Sequence, residues 1–181
     1  MSIGIEFLQT AIRRMKYYRD LGEKALDQLT EEQFHYSPNA AVNSVGIIIQ
    51  HISGNMLSRW TNFLTEDGEK KWRARDEEFE NHQYSRSALI ALWHQGWDQF
   101  ISTLESLKKE DLKKTVYIRK EALTVVDAII RQLAHYPYHI GQIMTMGKMV
   151  RGEDWQNLSI QKKGSEEYDS GSFLKDPAKK Y

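Results

Sequence analysis

The sequence predicts an all-α protein, a four-helix bundle. Apolar residues recur at steps of three and four through four long stretches, the mark of amphipathic helices. Only 3 prolines interrupt 181 residues, too little punctuation for a sandwich of short strands. The hydrophobic fraction is 40%, and with the 11 glycines it suits one domain with a proper core.

The first helix is predicted from Ile3 to Leu29, where Leu8, Ala11, Met15, Gly22, Leu26 and Leu29 share one face. Thr30 and Gln33 form a capping-box pattern that starts a short helical turn, and Pro38-Asn39 marks the loop after it. Asn43 or Ser44 can cap a second helix reaching Leu64, with a stripe of Ile48, Ile52, Met56, Trp60 and Phe63. His51 sits at the shoulder of that stripe.

From Glu66 to Tyr84 the chain carries seven acidic and four basic residues around Trp72 and Phe79. This reads most plainly as a solvated loop pinned by two aromatics; a lid over a site or a packing element in a dimer are the sharper alternatives. A third helix follows from Ser85 to Leu107. Thr115 to Leu123 alternates weakly, as either a short hairpin or an irregular link. Thr124, with Asp127 three residues on, starts a fourth helix that runs to Val150. Residues 1–155 form the predicted bundle; residues 156–181 are polar and read as a strap and tail. The link between the second and third helices is long enough to cross the bundle, at roughly 3.3 Å per extended residue. It permits those two helices to run parallel.

Lysine and arginine number 25, and aspartate and glutamate also 25, so no electrostatic footprint points to nucleic acid or an anionic membrane surface. Cysteine is absent, which excludes disulfides, thiolate zinc sites and a cysteine nucleophile. No apolar run is long enough for a membrane span, and Glu6 and Gln9 spoil the N-terminus as a signal peptide. The expectation is a cytoplasmic protein.

The chemistry is concentrated in His135-Tyr136-Pro137-Tyr138-His139. Residues four apart stack on one helix face, about 5–6 Å between Cβ atoms, so two imidazoles there can share a cation. His51 is the best third ligand, since it too lies at the inner edge of an apolar helix. Histidine pairs at this spacing also occur in ordinary surfaces and cores, so the residues alone leave metal binding and a structural role open. Pro137 frees the Leu133 carbonyl and predicts a kink between the two histidines. Asn55 and Gln142, and Gln132 more weakly, are candidates to orient the ligands. His35, His82 and His94 fit surface positions.

Asn43-Ser44-Val45-Gly46 through His51-Ile52-Ser53-Gly54-Asn55, with His135 to His139 and Gly141-Gln142, resembles the DinB-like (YfiT-like) superfamily of metal-dependent enzymes. Gly68 to Asp76 is similar to a branch of uncharacterised function. The resemblance implies an up-down-down-up bundle and a three-histidine site for zinc, nickel or a similar ion, here His51, His135 and His139. It also implies a homodimer and, from relatives, thiol S-transfer. Many relatives carry arginine after the last histidine; this chain has Ile140.

Three neutral imidazoles leave a cation its full charge and an open position, where it can acidify water or hold a thiolate. Tyr136 stands where helical zinc proteases place a glutamate base. The nearest preceding carboxylate on this helix, Asp127, is about 12 Å away along the axis. Zincin-type hydrolysis is therefore disfavoured. The expected function is a metal-dependent S-transferase taking a small-molecule thiol and an electrophile; a metal-dependent hydrolase and a non-catalytic metal- or ligand-binding bundle are the alternatives.

Overall fold

The computed structural model describes residues 2–160, so the predicted strap and tail lie, from residue 161 on, outside the described residues. They are mostly helical, with five α-helices and one two-stranded sheet. In chain order these are α1 (Ile3–Leu26), α2 (Glu31–His35), α3 (Val45–Trp60), α4 (Arg86–Ser106), β1 (Thr115–Ile118), β2 (Glu121–Thr124) and α5 (Val125–Arg151). The four long helices pack as neighbours: α3 on α4, α1 on α5, with α1–α4 and α3–α5 contacts joining the pairs. No helix among the described residues is long and apolar enough to cross a membrane.

The predicted starts are made by side-chain caps. Ser44 Oγ accepts from the Ile47 N–H, Ser85 Oγ from Ala88 and Thr124 Oγ1 from Asp127. The Thr30/Gln33 capping box is present in both directions. The ends fall short of the apolar pattern. The first helix stops at Leu26 because Gln28 and Leu29 turn back onto Ala25 and Leu26. Leu29 still reaches the core, which is why the period ran on. The second predicted helix stops at Trp60, not Leu64: Thr61 is extended and Asn62 takes φ 51°, a left-handed conformation that asparagine tolerates. Phe63 nevertheless folds back to 4.4 Å from the Trp60 ring. α5 continues unbroken through Pro137.

The Thr115–Leu123 stretch resolves as a hairpin, with Thr115 opposite Thr124 and Ile118 opposite Glu121. Its turn residues, Arg119 and Lys120, have φ 55° and 66°, the type I′ geometry usually built with asparagine and glycine. The Asp67 carboxylate compensates by accepting from both turn N–H groups, at 2.9 and 2.8 Å. Desolvation pushes Asp67 up, but these bonds and one from the Glu69 N–H hold it below the usual carboxylate range. The Gly68 N–H also donates to the Tyr117 carbonyl at 2.8 Å. The hairpin is thus bolted to the link after α3.

An aromatic core centred on Trp60, Trp97, Phe100 and Tyr136 joins α3, α4 and α5. Within it the Trp60 indole N–H donates to the Tyr136 hydroxyl (3.0 Å), which donates to Asn55 Oδ1 (3.1 Å). This relay fixes the height of α5 against α3, one residue away from His135.

Candidate metal centre

His51 projects from α3, and His135 and His139 from one face of α5, with Tyr136 between them turned into the core. The three imidazoles each offer a nitrogen within 4.8 Å of the others. Their ring centroids are 4.7–5.6 Å apart. The histidines the sequence singled out therefore meet, positioned to hold a metal ion.

Which nitrogens face inward follows from what holds the others. His51 Nδ1 is 3.0 Å from Glu78 Oε2, His135 Nδ1 is 3.2 Å from Gln132 Oε1, and His139 Nδ1 is 2.7 Å from Gln142 Oε1. A carboxylate accepts only, so His51 Nδ1 carries its proton. The Gln142 amide nitrogen donates to the Tyr138 hydroxyl, which fixes its oxygen on His139. In each ring Nδ1–H donates outward and the Nε2 lone pair is left for the centre.

His135 Nε2 and His139 Nε2 lie 3.1 Å apart. Two bare lone pairs at that distance repel unless a cation lies between them. Imidazole nitrogens on a tetrahedral zinc ion are about 3.3 Å apart, from Zn–N bonds of about 2.05 Å. The donor set fits a divalent ion of the borderline kind.

Burial keeps the two α5 imidazoles neutral, the form in which an imidazole ligates. Burial pushes His135 down to about 3, helped by the neighbouring His139, His51, Arg131 and Arg59. Burial likewise takes His139 down to about 4, against the bond to Gln142 that would raise it. Both rings are uncharged at neutral pH. Burial also raises the Tyr136 hydroxyl above the ordinary phenol range, so it stays protonated in its relay.

One residue behind the ligands carries no signal in the sequence. Glu78 comes from the link between α3 and α4, where a 3-10 turn (Asp76–Phe79) lies on α3. It receives Arg73 Nε at 2.6 Å and Arg73 Nη2 at 2.8 Å as well as His51. Desolvation raises Glu78, but Arg73 and His51 outweigh it and hold the carboxyl below its usual range. Most of the link is exposed, as expected, but Arg73 and Lys70 are buried within it, and Trp72, expected as a pin, is 59% exposed. Phe79 does pin it, 4.7 Å from the His51 ring. Gly54 makes room; a Cβ there would stand 2.8 Å from Glu78 Cδ and closer still to its Oε1.

Asn55 corrects a second expectation. It orients no imidazole among the described residues, and its side-chain oxygen is taken by Tyr136. Gln142, and Gln132, which the sequence favoured less, are the residues that do, at three positions from their histidines on the same helix face. His35, His82 and His94 lie elsewhere, on Tyr84, Glu77 and Glu23.

A family model of proteins of unknown function, DUF1572, matches residues 2–164. The chain belongs to the DUF1572 family. No curated protein and no solved structure matches it. The family description assigns no reaction, so the chemistry of this DUF1572 protein must be argued from its own residues.

Proposed function

We propose that this chain is a DinB-like metal-dependent enzyme, with His51, His135 and His139 binding one zinc or nickel ion that activates a low-molecular-weight thiol for transfer to an electrophile. The observation that carries the reading is the convergence of three Nε2 atoms, each backed by an acceptor on its Nδ1. A bound divalent ion there would lower the pKa of a thiol and hold it as the thiolate.

The protein's own residues favour transfer over hydrolysis. Hydrolysis at a metal is commonly assisted by a carboxylate or imidazole free to move a proton to or from the reacting oxygen. Glu78 is held by Arg73 and His51, and the Nδ1 protons of His135 and His139 are committed to glutamines. A thiol needs no such base once its acidity is raised. Among the described residues the candidate ligands number three, which suits a site with room for a reactant. The helix order, with residues 61–85 crossing between α3 and α4, fits the up-down-down-up bundle of DinB-like proteins.

The test is a rate. Metal-loaded protein is assayed with several biological thiols and a chromogenic electrophile. The reading predicts turnover above the thiol alone that disappears in His139→Ala and on chelation. Absence of metal-dependent turnover with every thiol contradicts transfer, and ester cleavage without any thiol would replace it with hydrolysis.

A further inference from the structure

A pocket of about 220 Å³ opens beside the histidines and includes His51 and His135 in its lining. Five arginines line it too: Arg59, Arg73, Arg75, Arg119 and Arg131. They come from four separate places, α3, the link, the hairpin turn and α5. Two carboxylates answer them. Glu69 takes Arg59 at 3.0 Å and Arg119 at 3.1 Å, and Glu78 takes Arg73 at 2.6 Å. The pocket therefore holds an excess of three positive charges, in a chain whose overall charge is zero.

The excess is not scattered. Arg75 and Arg131 have no carboxylate partner among the described residues; Arg75 lies only over the Phe79 ring, at 5.5 Å. Arg73, with a side chain 1% exposed, is engaged by Glu78 through Nε and Nη2, while its Nη1 is buried without a hydrogen-bond partner, 3.9 Å from Glu69 Oε2. A buried guanidinium N–H left open costs free energy unless something accepts from it. The turn that delivers Arg119 adopts two left-handed residues and is tied down by Asp67.

We infer that this pocket is an oxyanion subsite, so that one reactant of the proposed enzyme carries a carboxylate or phosphate group a short distance from its reacting atom. The guanidinium fork matches either group through paired N–H bonds. Positive charge in a concave site also concentrates anions at its mouth. The inference rests on the proposed reading only for the word reactant; the subsite stands on the arginines alone.

Inorganic phosphate and malonate are titrated into the full-length protein by calorimetry, at constant ionic strength set with chloride, metal-loaded and metal-free. Metal content is measured on the same samples. Both forms should bind at least one of the two anions, and whichever binds tighter identifies the group. Arg75→Gln/Arg131→Gln should weaken binding at least tenfold with metal content unchanged; neither arginine leaves a carboxylate orphaned, so the variant should fold. No binding, equal binding by the variant, or binding only by the metal-loaded form overturns the inference. Arginine-dependent binding in a protein that takes up no metal would uphold the subsite and remove the metal reading instead.

Discussion

Glu78→Gln is the perturbation that reaches furthest into this structure. The carboxylate accepts three charge-assisted hydrogen bonds, two from Arg73 and one from His51, and all three side chains are at least nine-tenths buried. Glutamine keeps the shape but has one acceptor oxygen, and its NH₂ must face either Arg73 or His51. Charged hydrogen bonds contribute about 1.5–3 kcal/mol each, and removing one partner of a buried ion pair costs about 3–5 kcal/mol. A loss of about 3 kcal/mol is expected in the metal-free protein. At this chain length that lowers Tm by about 6–12 °C. Freeing the His51 ring should also weaken metal binding by about 10–100-fold. The assays are urea denaturation of the metal-free protein and metal titration against a competing chelator. A destabilisation under about 1 kcal/mol with unchanged metal affinity would refute the role given to Glu78.

Three further outcomes follow from the same geometry. Gly54→Ala should displace Glu78 and reproduce the weakened metal binding of Glu78→Gln without altering any ligand; wild-type affinity by chelator competition would show that the link can shift freely. Asp67→Ala removes the acceptor for both turn N–H groups and should cost about 1–2 kcal/mol, with hydrogen exchange accelerated at Arg119 and Lys120; unchanged protection there would show that the turn stands unaided. Metal-free protein should lose stability as pH falls from about 6.5 towards 4. His135 and His139 resist protonation in the fold, down to about 3 and about 4, whereas the unfolded chain takes up those protons near 6.5. Above that range neither state binds them and the effect vanishes; a flat profile between pH 6.5 and 4.5 in urea melts would contradict the burial of these rings.

How far the sequence could be read depended on whether the partners of a residue were local. The caps at Thr30, Ser44 and Thr124 act over three residues, and all three were legible; at Ser85 only the helix start was. So was the His135/His139 face, because four residues on a helix is a fixed geometry. Gln132 and Gln142 lie at i±3 from those histidines, so the same rule pointed to them. Glu78 was hidden among seven acids of one link, 27 residues from His51, and nothing in its neighbours marks it. The arginine pocket was hidden for the same reason: its members are dispersed along the chain, and Arg119 joins them on a hairpin turn held by Asp67. Asn55 was placed on the correct helix but assigned the wrong partner, since the Tyr136 hydroxyl that claims it depends on the height of α5 against α3.

The central claim is that His51, His135 and His139 together hold one metal ion. Elemental analysis of protein purified without a nickel column tests it most directly, with wild type set beside the three single alanine variants. Close to one divalent ion per chain is expected in wild type and little in any variant. A metal-free wild type that stays empty on incubation with zinc and nickel, or a variant that keeps full occupancy, would contradict it.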